Sequence, residues 1–159
     1  MSASIDAIAT DSFDELLDAL PQEIGRILSE TARVALDSAE ANLSGMDWDT
    51  RSLARSGHIE AEEGAESVVY DARHAHWVEF GRPPGIRPPV QSVFEYLMER
   101  GIKSRPLANR IARRFCDRVE AKGMEPQPFL RPARARAEQH LNQEAARLEE
   151  QLRRRGVKT

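Results

Sequence analysis

The segment GHIEAEEGAESVVY, residues 57–70, decides the fold class expected for this chain, because its pattern favours strands where the rest of the sequence favours helices. Residues 58–62 alternate between apolar and polar side chains, residues 63–65 contain a glycine that suits a turn, and residues 66–70 end in β-branched and aromatic side chains. This pattern predicts a β-hairpin over about 57–71. Because a two-stranded hairpin is only marginally stable by itself, we expect it to pack on helices or to join a larger sheet.

A long helix is predicted before the hairpin. Apolar residues recur there at helical spacing, and the main part of the helix is expected to run from about Pro21 to Asn42 and to end near Gly45. Ser12 suits an N-cap at its beginning. Pro21 is expected to introduce a kink or a new start, because proline lacks the backbone donor.

Two middle helices are predicted after the hairpin. The first begins near Val90 and is closed by Gly101. The second begins at Ser104, has Pro106 in its first turn, where proline is tolerated, and ends at Gly123.

Two proline-rich segments separate the later helices. Residues 81–89, GRPPGIRPP, cannot form a helix or a central strand, because their prolines fix φ and lack donors. Residues 126–132, PQPFLRP, are predicted to form a second extended segment. A C-terminal helix is predicted from Ala133 to Arg155.

The predicted fold class is therefore α+β. It comprises a long N-terminal helix, a small antiparallel β-sheet containing the hairpin at about 57–71, two middle helices and a C-terminal helix. A length of 159 residues fits one domain, so residues 1–159 are expected to form a single domain. Its ends, residues 1–11 and 156–159, are expected to be flexible.

Composition limits the classes of function. The chain is 40% hydrophobic and 31% charged, as globular proteins are. No apolar run approaches the roughly 18 residues of a membrane span, so no membrane partner is expected, and residues 1–10 do not resemble a secretory signal. The single cysteine, Cys116, excludes an intrachain disulfide and a cysteine metal cluster.

Charge is distributed unevenly along the chain. Residues 1–80 carry 17 acidic and 5 basic residues, whereas residues 81–159 carry 9 acidic and 18 basic residues. The two halves are therefore expected to attract each other, either within one chain or between subunits, since complementary patches steer association.

Three groups of side chains raise the question of catalysis or ligand binding. His74 and His76 lie near Glu79, but two histidines two positions apart chelate poorly in a strand or a helix, so no metal site is predicted and a small hydrolase is the least favoured reading. Cys116 follows the apolar side of its helix and is expected to be a core residue. No cofactor motif is present, so we expect no enzyme and no cofactor.

The arginine-rich helix over 104–122 supports an alternative function. Arg110, Arg113, Arg114 and Arg118 occupy its polar sides and suit contacts with phosphates. The alternative is a nucleic-acid-binding regulatory protein, and the competing interpretation is a solvated or interface surface, since the chain is acidic overall.

Four motifs in order carry a family resemblance. They are TRSLARS at 50–56, AHWVEFG at 75–81 with RPPG after it, LANRIARR at 107–114, and GMEPQPFLRPA at 123–133. This order resembles a family of small proteins of tailed bacteriophages (siphophages), encoded in head–tail joining regions and described as neck, tail-completion or minor tail proteins. The resemblance covers most of residues 15–150.

One position departs from the family pattern. Ser52 stands where the family often has a glycine before the leucine, and the difference affects only the local turn.

The resemblance implies a virion structural protein without catalytic activity. It implies a cyclic homo-oligomer, a hexamer by analogy with sixfold siphophage tails, that joins tail to head and lines or surrounds the DNA channel. Implied partners are further copies, head-closure or connector proteins, and tail terminator or tail-tube proteins, with DNA passing through without sequence-specific binding. The chain would be made in the host bacterial cytoplasm and located in the virion neck or tail.

The candidate assembly-interface residues are the apolar anchors and arginines in and beside the proline-rich segments. They are Trp77, Phe80, Arg82, Pro83, Pro84, Arg87, Phe129, Leu130 and Arg131. Stiff segments lose little entropy when they dock on a neighbour. Phe129 and Leu130 are expected to fill either their own core or a pocket of a neighbouring subunit.

Overall fold

The structure of the chain is a computed structural model that describes the backbone of residues 3–46 and 50–154. Side chains are described for residues 18–46 and 50–154. Of the ends predicted to be flexible, residues 1, 2 and 156–159 lie outside the described residues, while residues 3–11 are part of the first helix.

The chain forms two compact units. Unit 1 consists of residues 1–72 and 129–159, and unit 2 consists of residues 73–128. Unit 2 contains 11 basic and 6 acidic residues, a net charge of +5, and the remaining residues carry a net charge of −8. The expectation of one domain over 1–159 stays a prediction.

The described elements are helices and one antiparallel hairpin, and the hairpin belongs to unit 1. This combination confirms the α+β class. The described elements are, in chain order, α1 (Ala3–Ser44), α2 (Arg51–Ala54), β1 (Gly57–Glu62), β2 (Ala65–Tyr70), α3 (Ala75–Phe80), α4 (Val90–Glu99), α5 (Arg105–Lys122) and α6 (Leu130–Arg154). In the described part of the chain, no helix has the length and apolar character needed to cross a membrane.

The predicted hairpin is confirmed in unit 1. Strands β1 and β2 pair antiparallel, with Gly57 opposite Tyr70 and Glu62 opposite Ala65. The two-residue loop between them holds Gly64 at φ +77°, a backbone conformation that glycine adopts without steric cost. The hairpin packs on α1, which provides the partner that its marginal stability demands.

Helix α1 is longer than predicted. It begins at Ala3 and continues through Pro21, so Ser12 lies inside the helix and is not an N-cap. Proline removes one backbone donor, which a long helix tolerates when tertiary packing stabilises the rest. After α1 ends, the hydroxyl of Thr50 donates a hydrogen bond of 2.9 Å to the carbonyl oxygen of Leu43 and satisfies one acceptor at the helix end.

Helix α6 also begins earlier than predicted. It starts at Leu130 and not at Ala133, so part of the predicted extended segment is helical. Pro132 stands in the first turn, where the backbone N–H has no partner within the helix and its absence costs little. Helix α3 was not assigned from the sequence, and its residues 75–80 form a short helix between the hairpin and the proline-rich loop.

The core of unit 1 lies between α1, α6 and the hairpin. Small residues line both helices, namely Ala32 and Ala39 on α1 and Ala133 and Ala137 on α6, and they permit close approach. Phe129 is fully buried. Its ring meets the ring of Tyr70 edge-on at 5.0 Å and 82°.

The core of unit 2 depends on α5. Ala108, Ala112, Cys116 and Val119 are buried along one side of this helix, and Val78 of α3 is buried as well. The predicted cap is confirmed, because the Ser104 hydroxyl accepts a hydrogen bond from the Leu107 backbone N–H at 3.4 Å.

Candidate assembly interface

Two proline-rich segments lie side by side in unit 2, and we call residues 81–85 together with residues 123–127 the clasp. The Arg82 N–H donates to the Met124 carbonyl oxygen at 2.9 Å, and the Met124 N–H donates back to Arg82 at 2.8 Å. A further hydrogen bond of 2.7 Å runs from the Gln127 N–H to the Val78 carbonyl oxygen. Residues with donors thus form the connections that the neighbouring prolines cannot form.

Two glycines make the close approach of these segments possible. Gly81 has φ +74°, and a Cβ atom there would lie 2.7 Å from the carbonyl oxygen of Met124. Gly123 has φ +75°, and a Cβ atom there would overlap the carbonyl oxygen of Arg82. Both positions therefore require glycine, for backbone conformation and for space.

Arg82 and Trp77 form a cation–π pair beside the clasp. The guanidinium carbon of Arg82 lies 4.8 Å from the centroid of the Trp77 ring. The Nε atom of Arg82 is buried and has no hydrogen-bond partner among the described residues. Arginine and tryptophan are the residue types that most often dominate protein interfaces, so this pair is a candidate anchor.

Arg87 fixes the end of the proline-rich loop to α5. Its guanidinium lies 2.6 Å from the Asp117 carboxylate and 2.9 Å from the Glu120 carboxylate. The hydrogen bond to Glu120 is the main cause of a raised pKa for Arg87. The Gly85 N–H donates to the Glu120 carbonyl oxygen at 2.7 Å, so side chain and backbone hold the same turn of the helix. Arg87 is therefore already neutralised within unit 2.

The remaining predicted residues of unit 2 are exposed. Phe80 is 58% exposed, and its ring lies 4.9 Å from the ring of His76. Pro83 and Pro84 are exposed too. Ile86, which the sequence analysis did not select, is 49% exposed.

The three predicted residues of unit 1 have different environments. Phe129 fills the core of its own unit, which is one of the two alternatives expected for it, and its carbonyl oxygen accepts a hydrogen bond from Asn42 at 2.9 Å. Leu130 is half-buried and Arg131 is exposed.

Residues of helices α4 and α5 line a basic cavity that is open to solvent, which we call the arginine cavity. Its volume is about 650 Å³, and it is lined by Gln91, Phe94, Arg105, Pro106, Asn109, Arg110, Arg113 and Arg114. Arg113 donates to the Asn109 amide oxygen at 2.7 Å, and the Arg105 guanidinium lies 5.4 Å from the Phe94 ring centroid. The lining contains four arginines and no carboxylate.

A second side of α5 carries exposed apolar residues. Leu107, Ile111 and Phe115 recur at helical spacing and are 39%, 37% and 42% exposed. The core side of α5 is instead formed by Ala108 and its helical neighbours, which include Cys116, so the core position expected for Cys116 is confirmed.

The groups considered for catalysis differ in their exposure to solvent. Glu79 is buried at 2% exposure, whereas His74 and His76 are exposed. Cys116 is fully buried, and burial raises the pKa of its thiol. Within the described residues, no three His, Cys, Asp or Glu side chains are grouped to hold a metal ion.

No protein-family model, curated protein or solved structure matches this chain. The function proposed below is therefore inferred from the sequence motifs and from the geometry of the described residues.

Proposed function

We propose that this chain is a virion structural protein that assembles as a ring at the head–tail junction of a tailed bacteriophage. The ring joins tail to head and surrounds the DNA channel. The clasp carries this proposal, because it joins two motifs of the resembled family, AHWVEFG at 75–81 and GMEPQPFLRPA at 123–133, through backbone hydrogen bonds. Two motifs that are far apart in the sequence but in contact in the structure support the family resemblance more strongly than either motif does alone.

The physical character of the clasp suits an assembly role. Its segments are held by backbone hydrogen bonds and by prolines, so they are ordered before a partner arrives and lose little entropy on docking. Phe80 and Ile86 are exposed beside it and offer apolar surface to a partner. A small protein that must recognise several neighbours benefits from such a stiff, apolar surface.

The environment of the ionisable groups favours a structural role over catalysis. A nucleophile needs an accessible thiolate and a positioned base. Cys116 is fully buried and its pKa is raised, and Glu79 is buried whereas His74 and His76 are exposed. Neither group is arranged to act on a substrate.

The proposed partners are further copies of the chain, head-closure or connector proteins, and tail terminator or tail-tube proteins. DNA passes through the ring without sequence-specific contacts. A hexamer is proposed because siphophage tails of the resembled class are sixfold, and head-to-tail contacts close into a ring when the rotation between subunits permits.

Deletion of the coding sequence from the phage tests this role. We expect DNA-filled heads and separate tails to accumulate, because the junction is missing, and we expect the wild-type chain to restore joined particles. Phe80→Asp should fail to restore them while remaining folded by circular dichroism, whereas Leu141→Asp, a matched change at an exposed position of α6, should restore them. Normal particles after the deletion would exclude the proposal.

A nucleic-acid-binding regulatory protein that uses residues 104–122 is a second candidate. The observation that favours it is the arginine cavity, in which four arginines face solvent without a carboxylate in the lining. Binding of DNA by the isolated chain should then fall steeply with salt and should depend on DNA sequence. Weak binding without either dependence excludes this candidate.

A further inference from the structure

The positive charge of the arginine cavity is not balanced within its own helix. Residues 104–116 contain four arginines and no Asp or Glu, and the carboxylates of the later turns, Asp117 and Glu120, are engaged by Arg87. Among the described residues, no carboxylate lies within ion-pairing distance of the four cavity arginines. Four adjacent guanidinium groups repel one another unless anions bind between them, so the cavity is suited to an acidic partner.

A segment of the opposite charge lies in the hairpin of unit 1. Residues 60–66, EAEEGAE, contain four glutamates and no basic residue, and we call them the hairpin tip. Glu62 and Glu63 are exposed and have no cation partner in the described part of the chain. Glu60 lies 3.2 Å from His58, and Glu66 accepts a hydrogen bond from the hydroxyl of Ser29. The tip therefore presents two carboxylates, those of Glu62 and Glu63, that have no cation partner among the residues that the structure describes, on a turn held by a strand pair.

We propose that the arginine cavity of one copy receives the hairpin tip of a second copy. The proposal rests on the ring assembly proposed above and specifies the contact between neighbouring subunits. The proposal is based on complementary charge. The acidic hairpin tip is complementary to the basic cavity, and the acidic unit 1 is complementary to the basic unit 2. Arginine forks bind carboxylates through paired hydrogen bonds, which fixes orientation as well as attraction.

Shape supports the same assignment. A volume of about 650 Å³ accommodates a few side chains, and the cavity is open to solvent, so a hairpin turn can enter it. Gly64 reduces the bulk of the turn at its end. Because tip and cavity are different surfaces of one chain, each copy uses one of each, and the contact is head-to-tail, as a ring requires.

Two full-length variants test the contact. The tip variant changes Glu60, Glu62, Glu63 and Glu66 to Gln, and the cavity variant changes Arg105, Arg110, Arg113 and Arg114 to Gln. Each variant alone should associate with itself at least about tenfold more weakly than the wild type at low ionic strength, measured by analytical ultracentrifugation, because charge–charge contacts are strong there.

Mixing the two variants gives the decisive result. The cavity variant keeps an intact tip and the tip variant keeps an intact cavity, so the mixture should form a one-to-one heterodimer that cannot grow further. A matched control changes Arg134, Arg136, Arg153 and Arg154 of α6 to Gln, which removes the same charge outside the cavity, and it should associate like the wild type. Absence of a heterodimer, or equal weakening by the control, would overturn the proposal.

Three further outcomes separate this proposal from its alternatives. If the cavity variant loses binding to a DNA duplex of arbitrary sequence while self-association is unchanged, the cavity binds phosphate and the hairpin-tip contact is wrong. If the tip and cavity variants are both incorporated normally into joined particles, the contact is wrong although the head–tail role stands. If the wild-type chain is absent from particles but the heterodimer forms, the head–tail role fails and the contact stands.

Discussion

Arg82 and Met124 exchange two backbone hydrogen bonds, of 2.9 and 2.8 Å, and form an isolated antiparallel bridge. This bridge connects the loop that follows α3 with the segment that follows α5. The residues immediately before them on each segment, Gly81 and Gly123, both have positive φ and face the opposite backbone. The clasp is thus held by a few short-range contacts that leave no room for a side chain.

Replacement of Gly123 by Ala should destabilise unit 2. The new Cβ atom would overlap the Arg82 carbonyl oxygen, and the positive φ is unfavourable for alanine, so we expect a loss of about 2 kcal/mol or more in the free energy of unfolding. Gly85→Ala is the matched control, because Gly85 has φ +93° but nothing within 4 Å of the added atom, and it should cost about 1 kcal/mol. Chemical denaturation measures both, and equal losses would contradict the packing of the clasp.

Removal of the Phe129 ring should destabilise unit 1. Phe129 is fully buried against Tyr70, so Phe129→Ala should lower the free energy of unfolding by about 3–5 kcal/mol. Phe80→Ala should change it by less than about 1 kcal/mol, because Phe80 is 58% exposed. A comparable loss for the two variants, measured in urea, would contradict the placement of Phe129 in the core.

Tyr70 should limit stability at high pH. Burial and the neighbouring Glu40 carboxylate raise the pKa of its phenol to about 12, above the value near 10 expected for the unfolded chain. Since the folded state favours the neutral phenol, this contribution to stability is complete below about pH 10 and is lost as the pH rises through about 12.

Tyr70→Phe should remove that alkaline loss. The Tyr70 hydroxyl is buried and has no hydrogen-bond partner in the described residues, so the variant should also gain up to about 1 kcal/mol at neutral pH. Unfolding in urea at a series of pH values checks both effects. An unchanged alkaline profile in the variant would show that Tyr70 is not the responsible group.

Cys116 should react slowly with thiol reagents in the folded protein. It is fully buried and burial raises its pKa, so the thiolate is scarce and inaccessible. Labelling with an aromatic disulfide should therefore report opening of unit 2, and Gly123→Ala should accelerate it several-fold while Phe129→Ala, in the other unit, should not. Rapid labelling of the wild type would contradict the burial of the Cys116 side chain.

The hairpin and both ends of α5 were predictable from the sequence because they depend on local patterns, whereas the N-cap expected at Ser12 was wrong. Alternation over 57–70 and a glycine in the turn determine the hairpin, and Ser104 and Gly123 bound α5 as predicted. The start of α6 differs from the prediction, because Pro132 favours an extended segment in the sequence but is compatible with the first turn of a helix in the structure. Pro21 likewise predicts a kink or a new start in the first helix, but α1 continues through it.

Periodicity predicted the buried position of Cys116 on α5, but it did not by itself exclude the neighbouring large residues from the core. Two apolar stripes run along this helix at the same spacing, one of large residues such as Leu107 and Ile111 and one of small residues such as Ala108 and Ala112. Hydrophobicity favours the large stripe, but close packing in unit 2 buries the small one. Only the tertiary structure decides which of them faces the core.

The clasp and the arginine cavity depend on contacts between distant residues. A single bridge between Arg82 and Met124 has no strand pattern, and the proline-rich segments indicate only where donors are missing. The cavity needs Gln91 and Phe94 of α4 beside the arginines of α5, and no spacing in the sequence relates the two helices. Of the cavity arginines, Arg110, Arg113 and Arg114 were predicted from the sequence, whereas Arg105 and the residues of α4 were not.

Quantification of this chain in purified, mature phage particles tests the head–tail role most directly. Isotope-labelled peptide standards for the chain and for the portal protein give the copy number per particle. The proposed ring predicts a constant number, six copies by analogy with sixfold tails, located at the junction in electron micrographs. Absence of the chain from mature particles, or a variable trace amount, would contradict the head–tail role.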